Sequence, residues 1–483
     1  MRTPRLHSLT ALAATIVLLA GCRASTSTTT PTGTGSPPAS APFDSTAEPT
    51  TTPDTFGGHW EPVGSLAFSR SDPSTVVLGD GRVLVIGNYW NGSVETTPVE
   101  LWDQATGAWR TTASLNKTRS AFAAVALHDG RALVTGGLND SRQSFSSTYV
   151  FDPGTETWTK VGLLGTARTA PTAAVLPDGR VLVAGGYFHV AYTGNVEGPE
   201  TMLAAYHPLA APSNRPLTDV DPYPVGSAMA TTELFDPTAG TWSPTGPLTY
   251  ARVGAVAATL SDGRVLVVGS TTGPLGGVTV DPGAFESAEI YDPAAGRFNL
   301  TGGLPDIDRA ALEAQGAPNA NPVPEGTPTI EEIGALVALD DGGAVLVGHA
   351  QFWKHQGEIT RSFRYGASSG TWTEIGQTYI RVGEPSPNLL IIPGARDLAH
   401  AVAARLPDGG VLIAESSWIQ PTQLADRYDP ATDTWSKLPP MPEPGGVGGP
   451  AVALADGSVL ILVVTASPDG IAMSSAIRFV PGP

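Results

Sequence analysis

Four arginines of the 483-residue chain stand at one fixed distance from a repeated acidic turn. Arg70, Arg119, Arg168 and Arg252 each precede the aspartate of an Asp-Gly pair by ten residues, at Asp80, Asp129, Asp178 and Asp262. A guanidinium presents five donors in a rigid planar fork that matches carboxylate and phosphate oxygens. Four of them around one mouth would hold an anionic ligand by bidentate bonds. The same residues have a second use, bonding the carbonyls of a neighbouring element or acidic loops. Before Asp341 the same phase holds Glu331. Acid–base chemistry at such a mouth would need a proton donor and acceptor, and Glu331 with His349 is the candidate pair.

Other chemistry finds little support. The eight histidines include no short-spaced zinc pair, since His349 and His355 are six apart on a predicted loop. No metal site and no cofactor is expected. There is no phosphate loop and no His-Glu-x-x-His motif. A net charge of −18 argues against nucleic-acid backbones and against an electrostatic hold on anionic lipid.

The elements that must position the arginines come from a repeat. Asp-Gly recurs at Asp80, Asp129, Asp178, Asp262, Asp341, Asp408 and Asp456, in steps of 49, 49, 84, 79, 67 and 48 residues. An aromatic follows in phase: Trp60, Trp109, Trp158, Trp242, Phe298, Trp372 and Trp435. Each unit reads as four short strands. In the second, Ala121–Leu127 is a small-apolar run expected to be innermost and buried on both faces. Asp129-Gly130 then makes a tight turn, because glycine tolerates positive φ and aspartate bonds its local backbone. Arg131–Gly137 and Thr148–Asp152 are the next strands, and Pro153-Gly154-Thr155 turns the chain toward Trp158. Units of this kind bury their apolar faces only against neighbours.

The glycine doublets Gly136-Gly137 and Gly185-Gly186, the Asp-Pro-x-x-x-x-Trp turns and the phrase Asp-Gly-Arg-Val-Leu-Val resemble the kelch-repeat β-propeller family over about residues 57–483. The resemblance implies an all-β fold, a seven-bladed kelch-type β-propeller. Its last unit stops after Phe479-Val480-Pro481-Gly482, where a fourth strand is due. The missing strand, with its aromatic, is expected to be His59–Val63, so the N-terminal strand closes the last blade. The family includes copper-radical oxidases of the galactose oxidase type, which need a Cys–Tyr crosslink. It also includes mammalian adaptors whose similarly placed arginines bind acidic peptides, and exported bacterial isomerases of sialic acids.

The first residues read differently. Met1–Arg5 carries two arginines, residues 9–20 are an apolar run of 12, and Leu19-Ala20-Gly21-Cys22 resembles a bacterial lipobox. Residues 1–22 are therefore expected to be a lipoprotein signal peptide, with lipidation at Cys22. Residues 23–56 are expected to be a disordered Ser/Thr/Pro-rich tether, and 57–483 the propeller. Cys22 is the only cysteine. Once it is acylated, no thiol remains for a crosslinked copper site. The expected location is exported, lipid-anchored to the bacterial membrane and facing outward, at the cell surface or in the periplasm.

Against the repeat as a ruler, the extra sequence collects on the face bearing the second-to-third and fourth-to-first loops. It comprises Tyr187–Ala230, Thr271–Ser287, Thr301–Glu331, His349–Thr360 and Gly376–Asp397. Loops on a rigid scaffold carry recognition, and the aromatics Tyr187, Tyr192 and Trp353 lie within them. The leading expectation is a surface-anchored, non-catalytic recognition module binding a protein or anionic glycan through this face. An enzyme on an acidic sugar and a structural envelope component are the alternatives.

Overall fold

The computed structural model describes residues 57–482 apart from 69, 71–72, 88–95, 141–142, 189–227, 271–277, 279, 306–331, 353–356, 376–378, 383–400, 416–423, 443–445, 448 and 467–471. Those residues form seven antiparallel sheets, five of four strands and two of five. The innermost strands are Ser74–Val77, Ala123–Ala126, Thr172–Val175, Val256–Thr259, Glu332–Ala338, Ala401–Arg405 and Val452–Ala453. Each lies against the next, and the seventh against the first. This is the expected seven-bladed ring.

Every blade is a meander set by its turns. In the Asp-Gly turn the glycine sits at φ between +84° and +86°, a conformation a Cβ disfavours. The aspartate accepts the amide two residues on, as Asp80 Oδ1 does from Arg82 N at 3.0 Å. The second strands, such as Val83–Ile86 and Val265–Val268, are buried along their whole length. The innermost strands are less buried than expected: Val256–Thr259 is half-buried throughout, and Ala126 is exposed. Their free edge borders the ring axis, so the strand enclosed on both sides is the second.

The repeated aromatics are the perimeter of the core. Each fourth-strand aromatic pairs across the sheet with one on the third strand: Trp60 with Phe479, Trp109 with Trp102, Trp158 with Phe151 and Trp242 with Phe235. Phe298, Trp372 and Trp435 pair likewise with Tyr291, Tyr365 and Tyr428. Ring centroids stand 4.9 to 6.4 Å apart, worth about 0.5–1.5 kcal/mol per pair beyond area burial. Several indoles also tie one blade to the preceding one. Trp109 Nε1 donates to Val63 O at 3.0 Å, and Trp158 Nε1 to Ala113 O at 2.8 Å.

The N-terminal strand Gly58–Ser65 pairs with Ala472–Pro481, in register Trp60↔Phe479, and completes the seventh blade. Arg478 Nη2 meets Glu61 Oε2 at 2.6 Å across this seam, and Trp60 Nε1 donates to Pro439 O at 2.7 Å. The strand begins beside Pro481, at the end of the ring that carries the short turns.

Candidate functional site

The antiparallel meander places the Asp-Gly and Asp-Pro turns at one end of the ring and all longer connections at the other. The plain end is held by ion pairs on the Asp-Gly turns. In blades one to four the partner is the next residue but one: Arg82, Arg131, Arg180 and Arg264, each at 2.6–2.7 Å. Blades five to seven have Gly343, Gly410 and Ser458 there, and the arginine comes from the third strand. Arg364 meets Asp341, Arg427 meets Asp408, and Arg478 approaches Asp456 at 3.7 Å. A Cβ on Gly410 would lie 2.7 Å from Arg427 Nε, so in that blade the glycine makes room for the substitute. A further bridge joins blades one and two. Hydrogen bonds from Arg110 and then Arg82 hold the Glu156 carboxyl down to about 2.

At the opposite end, the four phased arginines are interior clips. Arg70, Arg168 and Arg252 have side chains 0% exposed. Each meets a glutamate on the third strand of its own blade: Glu100 at 2.8 Å, Glu233 at 2.7 Å and Glu289 at 3.0 Å. The Nη1 of each arginine donates to the carbonyl of the glycine ending the second strand: Gly87, Gly185 and Gly269. It also reaches a carbonyl just ahead of the third strand, at Pro98, Thr231 and Ser287. The glutamates in turn accept backbone amides of the connection entering the blade, at Ala67, at Gly165 and Thr166, and at Thr249 and Tyr250. Burial pulls the three guanidiniums below the usual arginine range, and the paired glutamate works against it.

Arg119 is a variant of the same clip. It donates to Gly136 O and to Ser147 Oγ, and its guanidinium lies 4.1 Å from the Phe145 ring and 5.4 Å from that of Tyr149. Tyr149 stands where Glu100, Glu233 and Glu289 stand in the other blades, three residues before the Asp-Pro-type turn. Cation–π contact thus takes part of the role of the carboxylate.

These contacts correct the expectation of an open arginine ring. A guanidinium that is desolvated and already donating to carbonyls and a carboxylate has no face left for an external anion. The second use foreseen for these residues, bonding backbone carbonyls and acidic groups, is the one the structure displays. The clips fix the bases of the second-to-third loops against the incoming connection, so the extra sequence rises from a rigid platform.

The remaining candidates divide. Tyr187 is 0% exposed and packs with Val253 and Val278, so it is part of the platform and not a contact residue. Val278 belongs to the blade-four insertion, whose returning segment reaches Arg252 through Ala284 O at 2.7 Å. Its four-residue helix, Gly283–Glu286, is the only helix among the described residues. His349 lies on a strand, Ala344–Phe352, opposite Glu332 and Thr360. The segment expected to be a loop is therefore the extension of a hairpin, Ala344–Phe352 with Gly357–Gly366, to which Tyr379–Val382 adds a strand. The His349 side chain lies outside the described residues, as do Glu331, Tyr192, Trp353 and Cys22.

One feature of blade five escaped the sequence reading. Arg361, on the third strand, is 3% exposed, with Nε and Nη2 bonded to both carboxylate oxygens of Glu374 at 2.9 and 2.8 Å. It shares a strand face with Phe363, whose ring lies 4.7 Å from the guanidinium. The clip of this blade draws its arginine from the third strand. The signal was Glu331 in the arginine phase together with an arginine five residues before Gly366.

A cavity of about 440 Å³ runs along the ring axis, walled by innermost strands. Arg405 is the one charged side chain among its described lining residues, and its guanidinium meets Asp340 of the neighbouring blade.

A family profile described as "Kelch motif" matches residues 119–162, most of blade two. Among solved structures, the chain is similar to one titled "Novel fungal alcohol oxidase with catalytic diversity among the AA5 family, in complex with copper". The identity is 16%, with 88% of this chain and 76% of that chain covered and a TM-score of 0.52. No curated protein matches. Cys22, the only cysteine, precedes the propeller, and among the described residues no group of three His, Cys, Asp or Glu side chains could hold a metal ion. The chain carries a kelch motif on a seven-bladed β-propeller, and is similar in fold to a fungal alcohol oxidase solved in complex with copper.

Proposed function

We propose that this protein is a recognition module that binds a protein or glycan through the insertion-bearing face, held at the outer side of a bacterial membrane by lipid on Cys22. The observation that carries this reading is the division of labour between the two ends of the ring. One end is closed by short turns and ion pairs. At the other, buried arginine clips in blades one to five hold the bases from which long connections leave. A scaffold so arranged presents variable sequence without moving beneath it. Recognition then belongs to the side chains of the insertions, and the preference for anionic ligands no longer rests on Arg70, Arg119, Arg168 and Arg252. The anchor is supported by the order of charge, apolar run and lipobox in residues 1–22, and by the propeller's first strand starting at the plain end.

The test is a glycan-array and protein-capture screen with the full chain, repeated after shortening 190–226 and 306–330 in turn. Loss of a captured ligand on shortening, with the melting temperature held, supports the reading. Capture that survives both deletions, or that is lost on replacing plain-end residues such as Arg264, overturns it.

A further inference from the structure

The axial cavity has the size and chemistry of a small-molecule site distinct from the insertion-bearing face. Its volume of about 440 Å³ lies within the roughly 300–1,000 Å³ typical of ligand pockets. Most of the lining side chains are small and apolar, among them Ala124, Ala126, Val175, Val337 and Ala453. We infer that this cavity binds a compact organic carboxylate, with its charged head on Arg405 and its uncharged body along the channel.

Arg405 differs from the clip arginines in the two respects that matter. Its side chain is 32% exposed, and its partner Asp340 is 83% exposed. A solvated ion pair of that kind contributes little to stability, so an incoming carboxylate replaces Asp340 without breaking a buried contact. Arg405 stands three residues before Asp408, near the plain-end mouth, and its planar fork suits a carboxylate bidentately.

Calorimetric titration of the full chain with benzoate, 4-hydroxybenzoate and the corresponding neutral benzamides tests this. The carboxylates bind and the amides do not. Arg405→Met weakens binding about ten- to hundredfold, the loss expected for a charge-assisted hydrogen bond, and Arg405→Lys recovers part of it. Asp340→Asn tightens binding by removing the competing carboxylate. Circular dichroism melting of the free variants confirms that each is folded. Equal binding of amides, undiminished binding to Arg405→Met, or no carboxylate binding at millimolar concentration overturns the inference.

Discussion

Glu289→Ala is the sharpest test of the clip. The Glu289 carboxylate accepts four N–H groups, from Thr249 at 2.6 Å, Tyr250 at 3.2 Å, and Arg252 Nε and Nη2 at 3.1 and 3.0 Å. Both side chains are 0% exposed. Its removal strands a buried cation, which costs about 3–5 kcal/mol. An unfolding entropy of about 2.1 cal/mol/K per residue over roughly 430 residues comes to about 0.9 kcal/mol/K, so the melting temperature falls by about 3–5 °C. Urea unfolding at pH 7 measures the loss directly. The double variant Arg252→Met with Glu289→Ala leaves no unpaired charge in the interior and should be no less stable than Glu289→Ala alone. A double-mutant cycle then yields a coupling of about 2 kcal/mol or more. A loss below about 1 kcal/mol for Glu289→Ala, or strict additivity in the cycle, refutes the reasoning, because either result means that Arg252 reaches solvent when its partner is gone.

Three further outcomes are expected. The Glu156 carboxyl titrates at about 2 in the folded chain against an ordinary 4.5. The stability it contributes is therefore complete above about pH 4.5 and is lost as the pH falls toward 2; Arg110→Ala moves its NMR titration midpoint upward, and an unmoved midpoint contradicts the bridge. Gly410→Arg alone destabilises blade six by crowding Arg427, whereas adding Arg427→Leu restores stability by recreating the Arg264 and Ile290 arrangement of blade four; chemical denaturation of both variants shows whether it does. Trp60→Ala removes a 5.1 Å contact with Phe479 and the hydrogen bond to Pro439 O. It costs about 3 kcal/mol, and hydrogen exchange should quicken along Ala472–Pro481 before the other blades.

The ring was legible because its determinants are local. Asp-Gly needs only its own backbone to turn, and an aromatic on a fourth strand meets its partner about seven residues away, so both leave a period in the sequence. The arginine phase was equally visible, but its meaning was not. Glu100, Glu233 and Glu289 lie 30, 65 and 37 residues from their arginines, and insertions of different length hide the constant relation. That relation appears only when each glutamate is counted back three residues from Asp103, Asp236 and Asp292. Blade two conceals it further by placing Tyr149 there. Tyr187 was misjudged for a related reason, since the Val253 and Val278 that bury it come from another blade and from an insertion. The exchange of Arg264-type for Arg427-type partners at the plain end was legible in principle, as glycine or serine after Asp-Gly coincides with an arginine immediately before the third-strand aromatic.

The seam of the ring also sets an order of events in folding. Most pairings within a blade join residues close in sequence, whereas Glu61 and Arg478 are 417 residues apart. Closing a loop of that length costs roughly 5 kcal/mol of chain entropy, against roughly 2 for a seven-residue hairpin. Gly58–Ser65 is the earliest-synthesised strand of the ring, yet its partner Ala472–Pro481 is the latest. Blades one to six can therefore assemble while Trp60 and Phe479 still wait, and the pairing that closes the ring forms last. A chain cut or stalled before residue 472 is left with six blades and two unpaired edges, the form most prone to aggregate and most in need of a chaperone.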